Sequence, residues 1–414
     1  MNKNCDGQYN AWLHWFAVLT AVGTFVLLGA GGLVTSHDAG MSVPDWPNSY
    51  GYGMYAFPAS KWVGGIFYEH THRLWASAVG LMTTILALWL FGKNARSFMR
   101  WMGATLAVAG IVIAFLISGQ SSNGAVAAAT GIVMCAAGFV WPRCNPAAKW
   151  LRWLGLGAFL LVVVQGVLGG LRVVLFNADL GAVHGVVGQL FFLLTCALAL
   201  FTSRSWQAGV NRAADYIAGG RPFRALPFAV LAATALIVIQ LILGATMRGQ
   251  HAGLAIPDFP LAYGKLWPDT SAAAILHYNA QRIEVMHVNP ITAFQVILQM
   301  VHRLVALTIF VLVAACAMWA HRLEDTGAGS LKTQLRFHRR ISLFWVALIV
   351  CQIALGAATI WTHKAADVAT AHLLGGALCL ATGALWSIVL FARPWILPEP
   401  YPATASALGA LATK

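Results

Sequence analysis

Ten long apolar stretches are the feature that most constrains how this chain can fold. Most are about 20 residues long, the length that an α-helix needs to cross the hydrocarbon core of a bilayer. A backbone inside lipid must satisfy its own hydrogen bonds, so apolar runs of this length predict helices. The stretches lie near 12–34, 64–91, 101–119, 124–141, 151–171, 181–202, 226–246, 297–319, 342–361 and 370–391.

The composition excludes a water-soluble protein. Of the 414 residues, 59% are hydrophobic and only 9% are charged, whereas about a quarter of the residues in a soluble domain are charged. The sequence therefore predicts an all-α integral membrane protein with about ten transmembrane helices. The net charge of +13 could indicate a nucleic-acid partner, but in a membrane protein a basic excess usually orients the chain in the bilayer.

The basic residues separate by side when successive loops are assigned to opposite faces of the membrane. Of the 26 Lys and Arg residues, 18 fall in the group of segments that includes both termini, and 8 fall in the other group. The positive-inside rule then predicts cytoplasmic termini and outward-facing loops at about 35–63 and 247–296. The first ten residues lack the Arg-rich, acid-poor character of a transit peptide, so we expect a bacterial plasma membrane.

The sequence contains an internal repeat made of three signatures that occur twice in the same order. Asp and His follow the third signature in both copies, as Asp179 and His184 and as Asp367 and His372. Each copy begins on the predicted outward side, so the repeat is parallel. The paired signatures are Ala39–Pro47 with Ala252–Pro260, His72-Arg73-Leu74 with His302-Arg303-Leu304, and Gln165–Gly169 with Gln352–Gly356.

A repeat of this kind predicts two similar four-helix bundles related by a pseudo-two-fold axis. We place the N-terminal bundle at 1–212 and the C-terminal bundle at 213–414, with the loop 203–225 as the linker. The first copy is longer than the second by about the length of one helix pair. An inserted helical hairpin at about 101–141 in the N-terminal bundle explains this difference.

Four of the 13 His residues lie near the outward ends of predicted helices. Neutral imidazole is a common metal ligand, and haem iron is commonly held by axial His. A single intramembrane His is more often a hydrogen-bonded core residue, but the repeat pairs these four and favours ligands. They are His72, His184, His302 and His372. Four glycines beside them are expected to admit a flat macrocycle or to serve helix packing: Gly185, Gly188, Gly375 and Gly376.

Other polar residues near the histidines allow more than one interpretation. Arg73 and Arg303 could pair with haem propionates or extend to the membrane interface, and the sequence leaves both possibilities open. Asp179 and Asp367 are predicted to be helix N-caps rather than ligands. His338 lies in a basic cytoplasmic segment and is expected to be solvated.

One asymmetry separates the two copies. Glu69 precedes His72 by three residues, so both lie on one helix face, whereas Gln299 stands at the equivalent position before His302. A carboxyl near the hydrocarbon is costly and indicates function by default. The first half is therefore predicted to host chemistry and the second to hold a cofactor. His70 has no counterpart in the second half and points to a different face.

Taken together, these residues resemble the heme A synthase family. The resemblance extends from about residue 20 to residue 390, and the combination of four His with Glu69 is its most specific part. Single pieces of the pattern are weak. The residues that carry it are Gly32-Leu33-Val34-Thr35, Asp45-Trp46-Pro47, Glu69-x-x-His72-Arg73, Gln165-x-x-Leu168-Gly169-Gly170, His302 and His372.

The resemblance implies an oxidoreductase acting on CH or CH₂ groups. It converts the C8 methyl of haem O into a formyl group through two hydroxylations and loss of water, with oxygen taken from water. The product is haem A for cytochrome c oxidase. The resemblance implies that His302 and His372 ligate a haem b cofactor, that His72 and His184 flank haem O, and that Glu69 assists by stabilising a cationic intermediate or taking a proton. A haem O-forming farnesyltransferase is an expected partner.

Two departures and one rival function accompany this resemblance. Many bacterial relatives carry a cysteine pair in the first outward loop, and this chain has none there. The 101–141 hairpin is an addition to the usual eight spans. The alternative function is a di-haem b-type electron-transfer protein linked to quinone, which explains four His but not the difference between Glu69 and Gln299. A transporter is disfavoured because its sites usually lie near the membrane midplane.

Overall fold

The computed structural model describes residues 9–116, 121–144, 147–210, 221–284, 289–326 and 329–392. In these residues the chain forms α-helices and short 3₁₀ turns, without a named β-strand. The helices are α1 (Ala11–Ser36), α2 (Gly65–Phe91), α3 (Lys93–Leu116), α4 (Ser121–Val140), α5 (Lys149–Val174), α6 (Ala178–Thr202), α7 (Arg204–Val210), α8 (Arg221–Gly249), α9 (Ala272–Glu284), α10 (Ala293–Thr326), α11 (Gly329–Trp361) and α12 (Ala366–Ala392).

The expectation of an all-α, multi-pass membrane protein is confirmed. Within the described ranges, nine helices are long and apolar enough to cross a membrane, namely α1, α2, α3, α5, α6, α8, α10, α11 and α12. The predicted stretch near 124–141 forms most of α4, which is a 20-residue helix, Ser121–Val140. Helices α10 and α11 continue well beyond 297–319 and 342–361 because an apolar run marks only the part of a helix that lies in hydrocarbon.

The chain divides into two compact units, Met1–Gln207 and Ala208–Lys414. In the N-terminal unit, α1, α2, α5 and α6 form a ring in which each helix packs against two neighbours. In the C-terminal unit, α8, α10, α11 and α12 form the corresponding ring. The linker expected at 203–225 begins with α7, and residues 211–220 lie outside the described residues. Which unit holds which haem stays a prediction.

The inserted hairpin of α3 and α4 packs mainly against itself. A β-carbon at Gly103 or Gly110 would collide with the backbone of α4. Small residues of this kind let two membrane helices approach closely. Large side chains point away from the hairpin, with Trp101 74% and Phe115 84% exposed. The hairpin is therefore an addition to the N-terminal unit and forms no part of its four-helix ring.

Each unit carries a folded loop at one end of its ring, which we call the loop end. In the N-terminal unit this loop runs from 37 to 64. Asp45 accepts hydrogen bonds from the backbone N–H groups of Tyr50 (2.7 Å) and Gly51 (2.8 Å). Partial burial acts to raise the pKa of Asp45, but these hydrogen bonds and the charge of Arg73 hold it below its usual range.

The corresponding loop of the C-terminal unit, from 250 to 271, repeats these hydrogen bonds. Asp258 accepts from the N–H groups of Tyr263 (2.7 Å) and Gly264 (2.9 Å). Each loop also has a cis peptide bond before a proline, at Trp46–Pro47 and at Phe259–Pro260. The repeated loop signature therefore encodes one loop structure twice.

Two sequence-based predictions about local structure are wrong. Asp179 does not cap α6, because Asn177 occupies the cap and accepts from the N–H groups of Asp179 and Leu180. Asp367 likewise lies inside the first turn of α12. His338 is buried rather than solvated, and its Nδ1 accepts a 2.9 Å hydrogen bond from the Trp386 indole.

Candidate functional site

The structure brings the four predicted histidines together in two pairs, one in each unit. In the N-terminal unit, His72 on α2 and His184 on α6 lie close enough for their charges to interact. In the C-terminal unit, His302 on α10 and His372 on α12 do the same. The two helices of each pair occupy opposite corners of their ring. Each pair therefore presents two imidazoles across the interior of a four-helix bundle.

Each imidazole lies against a glycine of a neighbouring helix. A β-carbon at Gly31 would lie 3.0 Å from Cε1 of His72, which is tighter than an ordinary van der Waals contact. The absence of a side chain at these positions leaves room for the ring edge. The other three pairs share this arrangement: Gly169 with His184 at 3.3 Å, Gly244 with His302 at 3.4 Å, and Gly356 with His372 at 3.2 Å.

The four imidazoles also share an unsatisfied nitrogen. Within the described residues, a buried Nδ1 atom without a hydrogen-bond partner occurs in His72, His184, His302 and His372. Three of these rings, those of His72, His184 and His372, face the backbone of a neighbouring helix, at Leu27, Gln165 and Gln352 respectively. A buried polar atom usually has a partner. A histidine that binds a metal usually directs one ring nitrogen at the metal and the other at a backbone carbonyl or carboxylate, and the shared orientation of these four rings suits that arrangement.

A glutamine amide anchors three of the four histidine helices. The donor is Nε2 and the acceptor is the backbone carbonyl of the histidine: Gln165 to His184 (3.1 Å), Gln240 to His302 (2.9 Å) and Gln352 to His372 (2.7 Å). The sequence analysis identified the Gln-x-x-Leu-Gly signature at two of these sites and missed the copy Gln240–Gly244. A search of the chain with the signature itself would have found it.

The glycines expected to admit a macrocycle have different surroundings. Gly188 lies beside the amide of Gln165, because a β-carbon at Gly188 would be 3.0 Å from Nε2 of that glutamine. Gly375 and Gly376 lie beside the amide of Gln352. Only Gly185 of the four has open space around it. Most of these glycines therefore make room for the anchoring amides.

Glu69 and Arg73 form a buried ion pair that holds the N-terminal loop. Glu69 is 4% exposed. Its Oε2 accepts from the N–H of Val43 at 2.8 Å, and its Oε1 accepts from Nη2 of Arg73 at 2.8 Å. The same guanidinium donates to the carbonyl oxygens of Val43 (2.7 Å), Asp45 (2.6 Å) and Asn48 (3.0 Å). The donors of Arg73 at Nη1 and Nη2 are thus directed at the loop and at Glu69.

Gln299 and Arg303 hold the C-terminal loop in the same way without an anion. Gln299 is 2% exposed, and its Oε1 accepts from the N–H of Ile256 at 2.7 Å. Arg303 donates to the carbonyl oxygens of Asp258 (2.7 Å) and Leu261 (2.8 Å). Val43 and Ile256 occupy equivalent loop positions, so an amide oxygen replaces a carboxylate oxygen in one hydrogen bond.

The structure gives positions to two residues that the sequence analysis left without a role. Arg172, at the end of α5, interacts electrostatically with both His72 and His184, and its guanidinium lies beside Gly181. The repeated signature does not indicate Arg172, because this residue follows the signature glycine, Gly169, and lies outside the repeated residues. His70 is fully buried and its Nδ1 lies 3.2 Å from Oγ of Ser49. It therefore belongs to the base of the loop and not to the histidine pair.

The donor sets suit haem better than a bare metal ion. In the part of the chain that the structure describes, no three side chains of His, Cys, Asp or Glu come together as a metal site. Haem iron needs only axial ligands from the protein. The two imidazoles on opposite helices of each ring can supply such a pair in each unit.

Comparisons with known proteins identify relatives of this chain. The profile of the COX15-CtaA family, described as cytochrome oxidase assembly protein, matches residues 122–383. A heme A synthase of Rhizorhabdus wittichii is 28% identical over 379 residues, which cover 91% of this chain and 93% of the relative. A heme A synthase of Anaplasma marginale is 30% identical over 156 residues, 38% of each chain.

Proposed function

We propose that this chain, which belongs to the COX15-CtaA family of cytochrome oxidase assembly proteins, oxidises haem O to haem A. Its relatives that carry the name heme A synthase include one that matches along nearly the whole length of both chains. The observation that carries the proposal is the pair of opposed histidines in each unit, combined with a carboxylate, Glu69, that stands one helix turn before His72, where the other unit has Gln299 before His302.

The residues present fit two haem groups. His302 and His372 would hold haem b as the resident cofactor, and His72 and His184 would flank the substrate, haem O. The positions of the two imidazoles on opposite helices of each ring and the side-chain-free glycines beside all four support this assignment. When bound, haem b supplies an iron centre that gains and loses one electron.

The proposed reaction replaces the C8 methyl group of haem O with a formyl group. Written in balance, R–CH₃ and H₂O give R–CHO, four protons and four electrons. Glu69 would accept a proton from the reacting water or oppose positive charge that develops on the substrate. Gln299, an amide in the equivalent hydrogen bond, can do neither. The chemistry is therefore assigned to the N-terminal unit.

Arginines near each pair would attract the haem propionates. Arg73 and Arg303 are the candidates from the sequence, although both also donate to loop carbonyls. Arg172 interacts with both histidines of the N-terminal pair, and no described side chain accepts a hydrogen bond from its guanidinium. Arg172 is therefore the stronger candidate for a substrate carboxylate in that unit.

The charge distribution supports a location and an orientation. With both termini in the cytoplasm, the loop ends of the units face outward from a bacterial plasma membrane, and most Lys and Arg residues lie inside. Haem O carries a farnesyl tail and would arrive through the membrane from the farnesyltransferase that forms it. The four electrons that the reaction releases would pass to an oxidant outside this chain.

Co-expression with a haem O-forming farnesyltransferase tests the proposed function. Extracted pigment, separated by chromatography, should contain haem A when the chain is present and haem O alone when it is absent. Haem O alone in cells that contain the correctly inserted protein would refute the enzyme. The rival function, di-haem electron transfer from quinone, is favoured by the presence of a histidine pair in each unit. It predicts quinol-dependent haem reduction without haem A.

A further inference from the structure

Three of the four histidine sites have an anchoring glutamine, and at the fourth site a different residue stands at the equivalent position. Gln165, Gln240 and Gln352 each stand four residues before the glycine that faces a histidine ring. On a helix this spacing places the amide and the glycine on one face. The amide holds the histidine backbone while the glycine makes room for its ring. At the fourth site the glycine is Gly31, and the residue four positions before it is Leu27.

Leu27 cannot make this bond, because its side chain has no donor. It packs instead with the apolar core of the N-terminal unit, formed around Leu13, Val79 and Leu198. A hydrogen bond does join α1 and α2, one helix turn from Leu27 and His72. There the indole Nε1 of Trp75 donates to the carbonyl of Gly23 at 2.9 Å. The backbone at His72 therefore lacks the amide that the other three histidines have.

The two units differ in how many of their histidine helices have an amide anchor. Both histidine helices of the C-terminal pair are anchored at the histidine itself, at 2.9 and 2.7 Å. In the N-terminal pair only His184 is anchored, at 3.1 Å. An interhelical hydrogen bond in a membrane protein changes an equilibrium by about 3-fold on average and by up to about 20-fold. A ligand on an anchored helix moves away from iron less readily than one on a helix without the anchor.

We propose that the substitution of leucine for glutamine at position 27 makes His72 the releasable ligand of the N-terminal unit. The group held there exchanges through movement of α2 at His72, while His184 stays in place. The group in the C-terminal unit is retained because both of its ligands are anchored. This inference rests on the proposed function for the identity of the groups, namely a substrate that must leave as product and a cofactor that must stay.

Haem transfer from the full-length protein in lipid nanodiscs to excess apomyoglobin tests the inference, with iron protohaem loaded into both units as the probe. The wild type should release haem in two phases, and His72→Ala should abolish or accelerate only the fast one. Leu27→Gln should slow the fast phase by about 3-fold to about 20-fold. Leu27→Met, of similar volume and without a donor, is the matched control and should leave the rate unchanged.

The reciprocal variant, Gln240→Leu, should accelerate the slow phase by a similar factor, and it carries the test if Leu27→Gln does not fold. Equal rates for Leu27→Gln and Leu27→Met, or an unchanged slow phase in Gln240→Leu, would overturn the inference. The assay measures haem retention and not haem A production. The proposed function and this inference can therefore fail separately.

Discussion

The loops of the two units are held by the same hydrogen bonds but by different side chains. Glu69 accepts from Val43 in one unit, and Gln299 accepts from Ile256 in the other, at 2.8 and 2.7 Å. An amide is therefore sufficient to hold such a loop beside an arginine. The carboxylate of Glu69 is not required by this hydrogen bond. Glu69 is paired with Arg73, but even a paired charge costs desolvation when it is buried, and the other unit holds its loop without one. The carboxylate in one unit therefore favours a chemical use there.

Replacement of the histidines has the largest expected effect and tests the comparison most directly. His302→Ala or His372→Ala should abolish the b-type absorption of the purified protein, because the C-terminal pair loses an axial ligand. His72→Ala and His184→Ala should leave that absorption in place. The visible spectrum of the reduced protein measures both. A b-type spectrum that survives loss of the C-terminal ligands would reverse the assignment of the units.

Exchange of the acid and the amide is the next test. Glu69→Gln should keep the loop, as Gln299 does, while haem A formation falls by about 10²–10⁴-fold, the usual contribution of a general acid or base. Pigment analysis after co-expression measures the rate, and thermal unfolding checks the fold. Gln299→Glu is the matched control, with little effect expected on the rate. Haem A made at the normal rate by Glu69→Gln would limit Glu69 to a structural role.

The glycines beside the histidine rings differ in how much space they leave for a side chain, so alanine substitutions at two of them compare the two units. Gly31→Ala would place a β-carbon 3.0 Å from His72, whereas Gly244→Ala would place one 3.4 Å from His302. We expect Gly31→Ala to weaken haem binding in its unit by about 1–3 kcal/mol through overpacking, and Gly244→Ala to have a smaller effect. Both gain the same helix propensity, so that contribution cancels. Haem titration of each variant against the wild type measures the two losses of affinity, and equal losses would contradict the difference in spacing.

The hairpin should have the smallest effect on haem. Gly131→Val places a branched side chain against the backbone of α3 at Ala107, so α3 and α4 should separate. The four-helix ring of the N-terminal unit does not include this pair, and the described residues of the C-terminal unit contain no corresponding hairpin. The haem-to-protein ratio should therefore match that of Val133→Leu, a control at an exposed position of α4. A lower ratio in Gly131→Val alone would make the hairpin part of the haem site.

Much of the fold could be predicted from particular residues. Long apolar runs predict helices because lipid offers the backbone no hydrogen-bond partner, and the repeated signatures predict two similar units. Helix ends were less predictable: Asn177 rather than Asp179 caps α6, since the cap depends on where the helical backbone begins. The burial of His338 depends on Trp386, which is 48 residues away in the chain.

The candidate site also combines features that the sequence predicts with features that depend on tertiary contacts. Spacing alone places Glu69 and His72 on one helix face, and the repeat relates His302 to His72 and His372 to His184. Spacing could not indicate that the guanidinium of Arg73 is directed at three loop carbonyls, or that Arg172 lies near both histidines of its unit. These contacts join segments that are far apart in the chain.

The sequence by itself determined the class of protein, its repeat and the identity of the residues that matter, because hydropathy, periodicity and side-chain chemistry are local properties. The tertiary structure decided which of those residues face each other. It set the four paired histidines at opposite corners of their rings, placed a glycine beside each of these four imidazoles and gave three of the four histidine helices an amide anchor. Such relations depend on packing between helices, and the chain order of the residues does not contain them.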